Sequence, residues 1–92
     1  MEVNKVKHAI YCYGILPALV MLKNEQLKEN YDNCKIIKEA LDEVGLNTDW
    51  YKGSSVDEES FNNLYQEIYI QAHPAIALSL PEYIEKFYEL LT

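Results

Sequence analysis

The sequence predicts an all-α fold, a small bundle of about four helices with a kinked first helix, and three observations carry that expectation. Apolar residues recur at steps of three and four in four separate stretches, the spacing that lines one face of a helix. Serine, proline and glycine stand where those stretches begin and end, as helix start and stop chemistry requires. Connections are short and no repeat, low-complexity tract or linker divides the chain, so residues 1–92 read as a single acidic globular domain. The alternative is a small α/β unit with strands at 6–13, 47–52 and 75–80. The first of these runs is rich in β-branched and aromatic residues, and the last is too short for periodicity to type.

Val3, Val6, Ile10, Tyr13, Pro17 and Val20 set out the first helix, with Asn4 as its N-cap. Pro17 removes a backbone donor and pushes Leu16 from the α region, and Gly14 lies one turn earlier. A break at 14–17 is therefore expected, then a short piece from Pro17 to Lys23. Residues 25–44 read as one long helix with Leu27, Tyr31, Cys34, Ile37, Leu41 and Val44 as its apolar stripe. Gly45 stands where a left-handed residue closes such a helix, and Leu46 is placed to pack back on its last turn.

Residues 47–56 carry Asn47, Asp49, Gly53, Ser54 and Ser55 and form the main loop, with Trp50 and Tyr51 folding back as a lid on the core. Ser55 and Glu58 have capping-box spacing, and Asp57, Glu58 and Glu59 crowd the positive end of the next helix. That helix buries Phe61, Leu64, Tyr65, Ile68 and Ala72, and His73-Pro74 stops it. Ser79 to Glu82 repeats the capping spacing around Pro81. The last helix turns Leu80, Ile84, Phe87, Tyr88 and Leu91 inward.

The chain has 15 acids against 8 bases, a net charge of −7, and every base is lysine. Arginine is the usual bidentate reader of phosphate and guanine, so its absence with this charge argues against direct nucleic-acid binding. The sign suits a partner that itself binds DNA. Residues 1–38 carry a net of +2 and residues 39–92 a net of −9, so the acidity is concentrated in the second part. No apolar run reaches the roughly 18 to 20 residues needed to span a bilayer. The N-terminal apolar stretch is interrupted by His8 and tyrosines and lacks a cleavage site, so it reads as part of the fold. Two cysteines, Cys12 and Cys34, then suggest buried reduced thiols in a cytoplasmic protein.

Chemistry has few candidates. His8 and Cys12 are spaced i, i+4, and Cys34 with His73 could complete a Cys2His2 zinc set, but no close pair of the zinc-finger type is present. Free core cysteines and ordinary histidines explain the same residues. No nucleophile signature, glycine-rich phosphate loop or marked carboxylate pair stands out, so the expectation is no catalytic residues, no metal, no cofactor and no enzymatic activity. The 8 tyrosines exceed what so small a core needs and suggest either core-edge packing or a homodimer seam.

The carboxylates are more informative. On one continuous helix Glu25, Glu29, Asp32, Glu39 and Glu43 fall within roughly 40° of one line, about 27 Å long. Lys28 and Lys35 stand to one side of it and Ile36 is its one apolar member. Glu82, Glu85 and Glu89 form a second ridge on the last helix. A solvated face that keeps a small protein soluble explains such ridges. The near-absence of interleaved lysine and the length of the first ridge, comparable to about eight base-pair steps, point instead to a rigid row of charges that imitates duplex phosphates.

In length, acidity, lack of arginine and the wording of KNEQLKENYDNCKIIKEALDEVG and EESFNNLYQEIYIQ, the chain resembles the small acidic anti-restriction Arn proteins of T-even phages. The resemblance implies a DNA mimic in the host cytoplasm that inhibits a McrBC-type restriction enzyme or an H-NS-like histone-like silencer. It carries no catalytic residue to this chain, and its binding residues would be the carboxylates of the two ridges. A helical interaction module of adaptor or antitoxin-like type, working through an apolar tyrosine-bearing face, is the alternative.

Overall fold

The structure is a computed structural model that describes residues 1–52, 55–72 and 74–91. Among the described residues there are six helical segments: α1 (Val3–Tyr13), α2 (Ile15–Leu27), α3 (Tyr31–Glu43), α4 (Glu58–Gln71), α5 (Pro74–Leu78) and α6 (Leu80–Leu91). A two-stranded antiparallel ribbon, β1 (Tyr51–Lys52) and β2 (Ser55–Val56), pairs Tyr51 with Val56. The all-α bundle is thus the fold. Of the three strands of the α/β alternative, 6–13 lies in α1, 75–80 runs through α5 to the start of α6, and only Tyr51–Lys52 pairs at all.

α2 is the element the bundle is built on. Leu16, Pro17, Ala18, Leu19, Met21, Leu22 and Glu25 are all buried, so nearly its whole circumference faces protein. Such a helix belongs at the centre. α1, α3, α4 and α6 all pack on it, and α3 and α6 each also contact α1. Two helices that both touch the α1/α2 pair without packing extensively on each other must occupy its opposite grooves. Val6, Ala9 and Ile10 from α1, Cys34, Ile37, Ala40 and Leu41 from α3, and Phe87 from α6 join α2 in the core, with Trp50, Val56 and Phe61 at one side.

The break after α1 falls where expected. Gly14 has φ 91°, and its N–H still donates to Ile10 O at 2.7 Å. Pro17 sits in the first turn of α2, where a missing N–H leaves nothing unpaired. Two boundaries differ from expectation. α1 starts at Val3 with Glu2 in the cap position, because Val3 packs on the core and draws the helix start ahead of Asn4. α2 runs to Leu27 instead of Lys23, since a proline in the first turn does not obstruct the turns beyond it.

The single helix expected over 25–44 does not form. α2 ends and α3 begins anew at Tyr31, so the two make an antiparallel hairpin across Lys28–Asn30. Asn30 N–H donates to Glu25 O at 2.9 Å and Glu29 N–H to Gln26 O at 3.0 Å, a Schellman closure with Glu29 at φ 59°. The reversal lets the buried sides of α2 and α3 face each other, a burial that a straight helix could not reach. Leu27, expected in the stripe, is left 78% exposed. A left-handed conformation at a residue other than glycine costs about 1 kcal/mol. Glu29→Gly is therefore expected to stabilise the fold by roughly 0.5–1 kcal/mol despite the freer unfolded chain. A urea midpoint that stays put or falls would contradict this.

α3 closes as its sequence indicates. Gly45 has φ 95°, Leu46 N–H donates to Leu41 O and Gly45 N–H to Asp42 O, both at 3.0 Å, and Leu46 packs against the core. Trp50, 5% exposed, folds back over Phe61 with ring centroids 5.2 Å apart, and its Nε1–H donates to Asn47 O at 2.8 Å. Ser55 does not cap α4. Its hydroxyl donates to Lys52 O in the ribbon, and Asp57 caps instead, accepting from Ser60 N–H at 3.3 Å. α4 ends at Gln71, with Ala72 extended behind it. Gly53, Ser54 and His73 lie outside the described residues.

Candidate partner-binding surface

The hairpin between α2 and α3 redistributes the first ridge. Glu25 lies on α2 and is buried, 5% exposed, against α6 and Cys34. It therefore leaves the solvent ridge in which periodicity places it. Tyr88 Oη is enclosed beside Asn24 and Glu25 without a well-formed hydrogen bond, and burial, reinforced by Glu25, pushes its phenol pKa up. Glu29 stands exposed in the turn at the start of α3. Asp32, Glu39 and Glu43 are exposed on α3 itself. Asp32 and Glu43 are eleven residue steps apart on the helix, about 17 Å, and all three acids stay within roughly 40° of one line.

The surroundings of this shortened ridge are mostly neutralising at one end and open at the other. Lys7 of α1 approaches Glu43 at 4.0 Å. Lys38 bonds Asp42, one turn along, at 2.7 Å, and Asp42 also accepts from the Thr48 hydroxyl. Burial works against ionisation of Asp42, but the hydrogen bonds from Lys38 and Thr48 outweigh it and hold the carboxyl below its usual range. The same bond to Asp42 raises Lys38. Lys28 is drawn away to lie over the Tyr88 ring, 5.9 Å from its centroid. Asp32, in the first turn of α3, also gains from the helix dipole, which explains its presence independently of any partner.

Glu82, Glu85 and Glu89 are exposed on α6 as a second line. Because α3 and α6 occupy opposite grooves of the α1/α2 pair, the two ridges lie on different sides of the molecule. Acids at the start of α4 have local roles. Glu58 grips Lys23 through both carboxylate oxygens at 2.6 and 2.7 Å, and Lys23 also sits over the Phe61 ring.

Among the other candidates, Cys34 is buried as expected, its thiol donating to Leu22 O at 3.8 Å. Desolvation and the nearby Glu25 raise its pKa, so it is an unreactive core thiol. Cys12, expected to be buried, is exposed on the outer face of α1, 3.7 Å from His8 Nε2. Its position two residues after buried Ile10 turns it outward. Cys34 cannot join His8 and Cys12, so the Cys2His2 set within one chain does not assemble, and His73 lies outside the described residues. No group of three or more His, Cys, Asp or Glu suited to a metal occurs among the described residues. An apolar cleft of about 310 Å³ at the α1/α2 junction is lined by Tyr13, Gly14, Ile15, Leu16, Ile68, Gln71 and Ala72, none of them charged. Among the described residues no helix is long and apolar enough to cross a membrane.

Tyr65 and Tyr69, one turn apart in the sequence, belong to an aromatic ladder along α4. Phe61, Tyr65 and Tyr69 stack in succession at 6.3 and 6.2 Å, with Tyr69 42% and the adjacent Ile70 77% exposed. Their i, i+4 spacing was the available signal, since it brings rings one above another on a helix. Comparison with family models, curated proteins and solved structures finds no match.

Proposed function

We propose that this protein is an acidic inhibitor that occupies the DNA-binding groove of a host DNA-binding protein, a restriction enzyme or a histone-like silencer, by imitating duplex phosphates. The observation that carries the reading is the line of Asp32, Glu39 and Glu43 with Glu29 at its end, exposed on a helix whose opposite face is locked in the core. A groove built for DNA presents rows of cations and gains affinity by releasing counterions, so a rigid acidic row competes for it without resembling a base. The backbone spaces these carboxylates before binding, which leaves less ordering to offset. Glu82, Glu85 and Glu89 then act as a second, separate row, toward another part of the same partner or a second partner molecule. The row on α3, about 17 Å long, corresponds to about five base-pair steps, so one chain imitates a short stretch of duplex.

The test replaces Glu29, Asp32, Glu39 and Glu43 together by Asn or Gln, checks that the helical spectrum is unchanged, and measures displacement of DNA from a McrBC-type enzyme or an H-NS-like protein. Exposed pairs are worth about 0.2–1 kcal/mol each, so the four changes should weaken competition by roughly fourfold or more, with a shallower salt dependence. Equal competition by the neutralised protein at ~0.15 M salt would make the ridge a solvated face only.

The stacked Tyr65 and Tyr69 beside exposed Ile70 favour a second reading, an interaction module that works through an apolar face of α4. Binding by that face is indifferent to salt and carries a large negative heat capacity change. Binding by the ridge falls steeply as salt rises.

A further inference from the structure

The geometry points to a zinc site shared between two copies of this chain, each contributing His8 and Cys12. Both residues are exposed on the outer face of α1, one helical turn apart, with Cys12 Sγ and His8 Nε2 separated by 3.7 Å. A thiolate sulfur at about 2.3 Å and an imidazole nitrogen at about 2.05 Å from a tetrahedral zinc lie about 3.6 Å apart. The pair therefore already has the bite of two zinc ligands and needs only the loss of the thiol proton to solvent. A thiol hydrogen-bonded to an imidazole has the same spacing, but that contact alone supplies only half of a closed site.

Structural zinc takes four ligands, and among the described residues no third His, Cys, Asp or Glu is grouped with this pair. A second copy related by a two-fold axis brings the same two atoms to the metal and closes a Cys2His2 tetrahedron. The local charge of α1 tolerates the same occupant. Two chains of −7 repel each other, and α1 carries no Asp or Glu from Val3 to Tyr13. Its outer face, Asn4, Lys5, His8, Tyr11 and Cys12, lets two copies meet without opposing carboxylates. The dication is balanced by the two thiolates it binds, so closing the site adds no net charge to the pair. Tyr11, 72% exposed, supplies apolar area beside the metal.

Sedimentation equilibrium of the full chain at tens of micromolar, with thiols kept reduced, tests this by addition of zinc. The expected result is a rise from the 10.7 kDa monomer mass to twice that value at one zinc per two chains, reversed by a chelator. Cobalt in place of zinc should show a thiolate-to-metal charge-transfer band. His8→Ala and Cys12→Ser each should abolish both signals while leaving the helical spectrum unchanged, since both side chains are at the surface. Zinc that binds one per chain without association, or a zinc-driven dimer that survives both substitutions, would overturn the shared site. So would a mass unmoved by zinc. None of these results bears on the α3 carboxylates, whose competition with DNA is measured separately.

Discussion

Phe87→Ala is expected to remove about 4 kcal/mol of stability, the largest loss from any single side chain of α6. Phe87 is fully buried, and it is the one buried residue that α6 inserts into the groove between α1 and α2. Truncating such a ring forfeits its transfer free energy and leaves a cavity, together about 3–5 kcal/mol. The surrounding side chains cannot collapse into the space easily, because Leu19, Met21, Leu22 and Val6 are themselves at zero exposure in a packed core. A chain of 92 residues has roughly 5–14 kcal/mol to lose. The midpoint temperature should fall by roughly 16–30 °C. Trp50, the chain's one tryptophan, reports the transition by fluorescence. A fall of less than about 1 kcal/mol, well below the usual cost of such a truncation, would mean that α6 does not dock through Phe87.

Trp50→Ala should cost a comparable amount, about 3–5 kcal/mol, by a different route. The indole covers Phe61 edge to face at 5.2 Å, lies 6.4 Å from Tyr51, and ties the loop through Nε1–H to Asn47 O. Its own carbonyl accepts at 2.7 Å from the N–H of Asp57, the residue that caps α4. Removing the side chain uncovers Phe61 and loosens the loop that positions the start of α4. Circular dichroism followed through urea denaturation measures the cost, and Trp50→Phe should restore about half of it, since the ring contact returns without the hydrogen bond. If the Ala variant instead keeps its urea midpoint, the indole is a surface lid with no part in the core.

How far the site was legible depends on the kind of signal each residue gives. Gly45 frees the backbone for a left-handed φ, and Pro17 and Pro81 restrict it, each by covalent structure alone, so the end of α3 and the first turns of α2 and α6 could be read directly. Glu29 carries no such mark. Glutamate is a good helix former, and neither glycine nor proline stands between Leu27 and Tyr31, so local preference argues for continuing the helix. What reverses the chain there is the burial gained when Leu19 and Leu22 meet Ile37 and Leu41, which outweighs about 1 kcal/mol of left-handed strain. That one turn moved Glu25 from the ridge to the interior. Ser55 shows the same contest on a smaller scale, since its capping spacing lost to a ribbon pairing beside the tryptophan lid.

The sequence by itself determined the all-α class, most of the inward faces, the acidity of the second part, and the outward placement of Asp32, Glu39, Glu43, Glu82, Glu85 and Glu89. Those properties depend on 3.6-residue periodicity and on charge, both of which are local. Only the tertiary structure decided that α2 is central, that the long helix is a hairpin, that the two acidic ridges face different ways, and that Cys12 stands beside His8 in the open. Each of these depends on which helix packs against which, and packing energy is shared among residues far apart in the chain, so no stretch of sequence contains it.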